Sequence, residues 1–453
     1  MAQIKTQNPY DGSQVSLYRQ DDSGKINTKL SLALDAEADW ANKDIGDRVN
    51  LLRKLSQIFE ERKKSYAELI TMEMGKPISQ SRAEIDKCIW ACDFYAKNAE
   101  NFLSDEIIDT DAGESFISYD ALGCILAIMP WNYPFWQVIR FAAPNLTAGN
   151  TALLKHAENV SGCAEALQEL FEEAGYPAGC FQTIFASHED IETVIAQDGV
   201  KGVTLTGSEK AGKAIAKLAG ANLKKTVLEL GGSNACVVFE DADLDRYLDT
   251  MVQARFQNTG QSCIAAKRFI VCEAIYDAFL ERFKAKVQEL SVGNPKEEDT
   301  FIGVMARPDL VDTLRKQVDS SIEKGAELLL GGASKNTFFE ATILGNVKKG
   351  MPVFDEETFG PVAAVVKVKD REEALMMATQ SRFGLGTMLF TKDVKAAKKL
   401  ISKIPDGSFF INDMVKSDPR LPFGGTKASG YGRELSQVGM LEFVNRKTVY
   451  IKK

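Results

Sequence analysis

Histidine is nearly absent from this chain of 453 residues: only His156 and His188 occur. Zinc sites built on several histidines are thereby excluded, and a Cys-His hydrolase would have to recruit one of these two. His188 lies in Ala186-Ser-His-Glu-Asp190, which reads as a capped helix start on the surface. No stretch approaches the ~20 apolar residues of a membrane span. The opening residues, Met1 to Pro9, hold no apolar run of the kind a signal peptide needs. The eight cysteines include no CxxC pair, a pattern that fits a reducing compartment and predicts a cytoplasmic protein. Positive charge is also in deficit. The net charge of −8 argues against nucleic acid or an anionic membrane as partner, while leaving room for a local basic pocket.

What is present is ordinary globular composition, 45% hydrophobic and 26% charged, in a chain too long for one core. Residues 1–22 carry turn signals at Asn8-Pro9 and Asp11-Gly12 and read as an arm or hairpin. From Asn27 to Leu103 apolar residues recur at helical spacing (Val49, Leu52, Leu55, Ile58, Phe59), with one break at Gly75-Lys-Pro77. This helical layer is expected to hold little chemistry of its own. Phe116-Ile-Ser-Tyr119 reads as strand material lying off that layer, and Thr448-Val-Tyr-Ile451 as a tail strand able to pair with it or with another subunit. Beyond it, short apolar strands (Cys124–Met129, Thr151–Leu154, Gly202–Thr206, Thr226–Leu230) alternate with helices, and each ends in a loop marked by Gly, Pro or polar residues. The alternation resumes with Phe269–Cys272, Val362–Val368 and Thr387–Phe390. It predicts an α/β protein with two doubly wound α/β domains, ligands binding at the carboxyl ends of strands.

Several loops then become candidates. Phe256-Gln-Asn-Thr-Gly-Gln-Ser-Cys263 sets one cysteine after a polar turn and before an apolar run. A thiol there meets an incoming molecule, but only as thiolate does it attack. Pro130-Trp-Asn-Tyr-Pro134 holds Asn132 between two prolines, where its amide can serve a developing oxyanion. Glu229 stands among apolar residues beside Gly231-Gly232, a setting that raises a carboxyl pKa and makes a general base. Gly207-Ser-Glu-Lys-Ala-Gly-Lys-Ala214 nearly matches a phosphate loop but has Ala214 where Ser or Thr would hold magnesium, which disfavours a kinase or ATPase. Gly207 and Ser208 still open a helix suited to a pyrophosphate. No GxGxxG follows any strand.

Seven motifs occur in order: Pro130-Trp-Asn-Tyr-Pro134, Lys155-x-Ala-Glu158, Thr206-Gly-Ser208, Leu228-Glu-Leu-Gly-Gly232, Asn258-Thr-Gly-Gln-Ser-Cys263, Glu357-Thr-Phe-Gly-Pro361 and Pro422-Phe-Gly-Gly425. Together they resemble the aldehyde dehydrogenase superfamily over nearly the whole chain. The run Met414 to Gly425, with the short length, resembles its compact succinate-semialdehyde dehydrogenase branch. The resemblance implies Cys263 as nucleophile, Asn132 as oxyanion donor and Glu229 as the base that hydrolyses a thioester. It implies nucleotide contacts from Trp131, Lys155, Glu158, Gly207, Ser208, Glu357 and Phe359. For substrate it implies Arg140 on a distal carboxylate, Ser417 adding a hydroxyl, and Trp136 with Phe423 as apolar walls. A cofactor-binding domain (1–104 and 123–231), a catalytic domain (232–436) and an oligomerisation arm (105–122 and 437–453) are the expected division, in a homodimer or homotetramer.

The family often has proline where His156 stands, a change expected to shift the loop little. Glu158 matters more: its carboxylate accepts from ribose hydroxyls but repels a 2′-phosphate, so NAD is the expected cofactor and NADP the alternative. The expected partner is a small-molecule aldehyde, succinic semialdehyde first. Another ω-carboxylated or aliphatic aldehyde, such as glutarate semialdehyde, is the rival substrate. A nicotinamide-independent cysteine hydrolase is the rival from another class, and it leaves Glu357-Thr-Phe and Lys155-x-Ala-Glu158 without a use.

Overall fold

The computed structural model describes residues 3–452. Met1, Ala2 and Lys453, the outermost residues of the expected domain and arm, lie outside them. Strands Gln3–Gln7 and Gln14–Arg19 form the expected antiparallel hairpin. The helical layer follows as Ser23–Asp35, Ile45–Met74 and Ile78–Phe102. Asp44 caps the long helix by accepting from Gly46 N, and Gly75 ends it at φ +77°, a left-handed angle that glycine adopts without a Cβ clash. Val49, Leu52, Leu55 and Phe59 face the core, as their spacing predicted. No helix among the described residues is long and apolar enough to cross a membrane.

Two parallel-sheet cores carry the α/β architecture. The first sheet runs Gly430–Tyr431, Lys225–Glu229, Val200–Thr206, Cys124–Met129, Thr151–His156, Phe181–Thr183, all parallel except the first strand. Strand order reverses between Cys124–Met129 and Val200–Thr206, the point where an open α/β sheet leaves a crevice beyond its carboxyl ends. The second sheet centres on Asn234–Val238, flanked by Ala266–Cys272 and Thr387–Phe390. The chain passes from the carboxyl end of Lys225–Glu229 to the amino end of Asn234–Val238 in four residues, Leu230 to Ser233. The carboxyl ends of the first sheet therefore meet the amino ends of the second. Val444–Ile451 pairs antiparallel with Glu114–Ala121, and Glu106–Ile107 completes a separate three-stranded sheet.

Two readings of the sequence need correction. Lys155 and His156 belong to a strand, not a loop: they pair in register with Ile128 and Met129. The strand is extended because the His156 ring bonds sideways into the neighbouring loop, with Nε2 2.9 Å from Pro134 O and Nδ1 accepting from Ala157 N at 2.9 Å. Burial pulls this imidazole down to about 4, so it is a neutral strut holding the Pro130–Pro134 loop.

The helical layer, expected to hold little chemistry, is the other correction. The buried Glu84 carboxylate accepts from Phe135 N at 2.9 Å and Trp136 N at 3.0 Å. It thereby caps the Trp136–Thr147 helix, which has no side-chain cap of its own. Its other oxygen pairs with Lys76, and both side chains are fully shielded from solvent. Burial pulls the Lys76 ammonium down, and Glu84 opposes that. Glu84→Gln keeps the cap acceptor and removes the counter-charge. It is expected to lower unfolding stability by about 3–5 kcal/mol, while Lys76→Met/Glu84→Gln regains most of the loss. Urea unfolding measures both. A loss under about 1 kcal/mol for the single variant would mean the pair behaves as a surface ion pair.

Candidate active site

Cys263 lies three residues before the Ala266–Cys272 strand, at the amino end of the second sheet. It is the one partly exposed cysteine among the described residues; the other seven are buried. Its loop is held in an unusual backbone. Asn258 and Thr259 both have φ +54°, costly for non-glycine residues and most of all for a β-branched one. Side chains fix this conformation. Asn258 Nδ2 donates to Asn132 O at 3.0 Å and Gln261 O at 3.1 Å, and Thr259 Oγ1 accepts from Gly303 N at 3.1 Å. At Gly260 an added Cβ would fall 2.3 Å from Gly360 O, so the thiol loop and the Glu357–Gly360 loop touch backbone to backbone.

Two cavities meet at Cys263. One, about 380 Å³, sits over the switch point of the first sheet and is lined by Trp131, Asn132, Gly207, Ser208, Glu229, Glu357 and Phe359 among others. The other, about 360 Å³, is lined by Trp136, Gln137, Arg140, Ser417 and Phe423, with Lys76, Glu84 and Lys87 from the helical layer. Every expected site residue thus falls on one of the two except Lys155 and Glu158. Those two line a small hollow beside Ser161 and Phe185.

Within the first cavity, Asn132 Nδ2 donates to Gln261 O at 3.1 Å, and its Oδ1 accepts from Gln137 Nε2 at 3.1 Å. Gln137 therefore fixes which way the amide faces, leaving one N–H free. Glu229 is buried with neither carboxyl oxygen hydrogen-bonded. Burial, then the nearby Glu434 carboxylate, push it well above the usual carboxylate range. Trp131 and Phe359 meet edge to face at 5.7 Å. Ser208 caps the Glu209–Ala221 helix by accepting from Ala211 N.

The sequence reading missed three participants. Lys267, fully buried, donates to Ser262 O at 2.7 Å, Cys263 O at 2.8 Å and Glu357 Oε1 at 3.1 Å. It ties the thiol loop to the carboxylate loop, and Glu357 Oε1 also accepts from Gly232 N at 3.0 Å. Its signal is a Lys267-Arg268 pair near the start of a strand that is otherwise apolar. Glu434 is the second: it ion-pairs with Arg140, whose Nη2 donates to Thr206 Oγ1 at 3.3 Å and whose guanidinium lies 4.7 Å from the Phe423 ring. Arg140, expected to be free for a substrate carboxylate, already has a resident one. Its Nη1 has no protein partner among the described residues. Lys87 is the third, donating to Ser417 Oγ at 2.6 Å.

A model of the aldehyde dehydrogenase family matches residues 1–449. A Synechocystis protein named a probable succinate-semialdehyde dehydrogenase (NADP+) is 47% identical over 451 residues, 99% of each chain. An Escherichia coli protein named a succinate semialdehyde dehydrogenase (NAD(P)+) is 44% identical over 446 residues, 98% of this chain and 96% of its own. Among solved structures, succinic semialdehyde dehydrogenase from Streptococcus pyogenes, in complex with NADP+, superposes with a TM-score of 0.97 at 36% identity, covering 99% of this chain and 100% of that one.

Burial pushes the Cys263 thiol up to about 11, with Lys267 and Arg140 pulling it part of the way back. The free enzyme therefore holds a protonated thiol at neutral pH. Its alkylation by iodoacetamide is expected to rise about tenfold per pH unit between pH 7 and 10, following the thiolate fraction. Mass-mapped labelling of Cys263 measures this, and a plateau by pH 8 would contradict it.

Proposed function

The chain belongs to the aldehyde dehydrogenase family, and from that premise we propose that it oxidises succinic semialdehyde to succinate with a nicotinamide nucleotide as acceptor. The observation that carries the substrate choice is the excess of cationic side chains in the 360 Å³ cavity that opens onto Cys263. A semialdehyde presents its carbonyl to the thiol and its carboxylate to those cations. A second reading, glutarate semialdehyde or another ω-carboxylated aldehyde, rests on the same cavity.

In the proposed reaction the Cys263 thiolate adds to the aldehyde carbon and forms a thiohemiacetal. The free N–H of Asn132, held by Gln137 and Gln261, and the Cys263 backbone N–H receive the oxyanion. A nicotinamide held in the cleft between Trp131, Glu357 and Phe359 would supply the chemistry the chain lacks, as the acceptor for the hydride of that carbon. The thioester left on Cys263 is then hydrolysed. Glu229, buried and unpartnered, takes the proton of the attacking water.

The donor set fits a dinucleotide. The Ser208-capped helix start offers backbone N–H groups to a pyrophosphate. Glu357 would hold the ribose beside the nicotinamide, Trp131 and Phe359 would wall its ring, and Lys155 with exposed Glu158 would meet the adenosine ribose. We infer a preference for NAD, because the Glu158 carboxylate opposes a 2′-phosphate. The nucleotide named for the Synechocystis relative weighs the other way. We also propose a homodimer or homotetramer through the Val444–Ile451 strand, whose outer edge is unpaired and whose Tyr450 and Ile451 are exposed. A reducing, cytoplasmic setting fits eight free cysteines.

A substrate panel run with both nucleotides tests this reading. Succinic semialdehyde with NAD is expected to give the highest kcat/KM, and Glu158→Ser to shift preference toward NADP. A higher kcat/KM with NADP in the parent enzyme would overturn the cofactor inference. Glu229→Gln is expected to retain a burst of about one NADH per site and then turn over about 10²–10⁴-fold more slowly. A variant with no burst would place Glu229 before the thioester instead.

A further inference from the structure

Four cations line the cavity that leads to Cys263: Lys76, Lys87, Arg140 and Lys416. Three of them are neutralised within the protein. Lys76 pairs with Glu84, Arg140 with Glu434, and Lys416 with Asp413 at 2.6 Å. Lys87 alone has no carboxylate within ion-pair distance among the described residues. Its ammonium donates to Ser417 Oγ at 2.6 Å and sits 4.5 Å from the centre of the Trp136 ring.

We propose that Lys87, with the Ser417 hydroxyl it holds, binds the distal carboxylate of the substrate and sets the preference for ω-carboxylated aldehydes. This rests on the reading that the substrate is such an aldehyde. An ammonium has three N–H donors and Ser417 takes one, so two remain. A partly desolvated cation without a counter-ion is costly, and an incoming carboxylate removes that cost. The Trp136 face fixes where the charge sits. Ser417, accepting from Lys87, keeps its own proton to donate to the same carboxylate. Arg140 then plays the lesser part: Glu434 neutralises it, and only Nη1 is left to reach toward the ligand.

The groups facing Lys87 set its titration. Arg140 from the Trp136–Thr147 helix opposes its charge, Asp418 from the loop before Phe423 favours it, and Glu84 and Cys88 lie on its own helix. Lys416 lines the same cavity from that loop. Burial first and Arg140 second pull the ammonium down to about 8. The protonated form binds the carboxylate, so KM for a carboxylated aldehyde rises as pH climbs past about 8, while a neutral aldehyde does not follow Lys87.

The test compares succinic semialdehyde with butyraldehyde, which has the same chain length and no carboxylate. Lys87→Met is expected to lower the ratio of their kcat/KM values about thirtyfold, the effect of a charge-assisted hydrogen bond, and Lys87→Arg to restore most of it. The fall of that ratio above pH 8 should vanish in Lys87→Met. Thermal melting confirms that both variants fold; if Lys87→Met does not, the Lys87→Arg ratio and its pH profile decide. An unchanged ratio in Lys87→Met, beside a parent enzyme that prefers succinic semialdehyde, overturns the role of Lys87 and leaves the substrate reading standing. A parent enzyme without that preference overturns both.

Discussion

A charge taken out of water must find a partner, and around Cys263 that requirement organises the structure. Glu84 is drawn between Lys76 and the amino end of the Trp136–Thr147 helix. Glu434 is drawn to Arg140, and Lys267 to Glu357. Each ties together segments far apart in the chain: Glu84 the helical layer to the Trp136–Thr147 helix, Arg140 with Glu434 that helix to the C-terminal loop, and Lys267 with Glu357 the second sheet to the Glu357 loop. Removing one member would leave its partner buried alone, so these pairs fix the relative placement of the loops as much as the apolar cores do. The residual charge, left after pairing, is what a ligand meets.

The position of the thiol follows from how the two sheets join. Because Leu230 to Ser233 carry the chain directly from one sheet to the other, the crevice at the first sheet's carboxyl ends is roofed by the second sheet's amino ends. Cys263 arrives at the roof just before its strand begins. An added Cβ on Gly232 would fall 2.7 Å from Cys263 O, so the connection itself presses against the thiol loop. Two left-handed non-glycine residues, Asn258 and Thr259, are tolerated there because Asn132, Gln261 and Gly303 hold them. Strain of that kind persists only where the surroundings over-determine it.

How legible this was depends on whether the signal is local. Pro130 and Pro134, Gly231-Gly232 and the polar turn before Cys263 are short stretches whose backbone constraints can be read without a fold. The alternation of strands and helices marks both sheet cores, and the composition of the tail marks it as a strand but leaves open the Phe116 strand or another subunit as its partner; in the fold it pairs with Glu114–Ala121. The helical layer defeated the same reasoning. Periodicity identifies Val49, Leu52 and Leu55 as core, but it treats Lys87 as one more solvated lysine between turns. Nothing local shows that the face it occupies looks into a cavity built by residues from elsewhere in the chain. Arg140 was found and its setting was not, since Glu434 lies in a distant loop. His156 was read as a neutral replacement for proline. In the fold its ring replaces proline's covalent stiffness with a hydrogen bond to Pro134 O in the neighbouring loop and one from its own neighbour Ala157 N.

The same burial acts on the two titrating groups that the proposed chemistry uses, and in the same direction. It raises the thiol of Cys263 and the carboxyl of Glu229 together, so the free site holds its sulfur as the thiol. Such a thiol is a poor nucleophile, but it is also a poor target for oxidants and stray electrophiles, which attack the thiolate. Lys267 and Arg140 already favour the thiolate by Coulomb attraction, though burial outweighs them. Any further positive charge brought into the 380 Å³ cleft beside Cys263 adds to that attraction in a poorly solvated place, where it counts for more than in water.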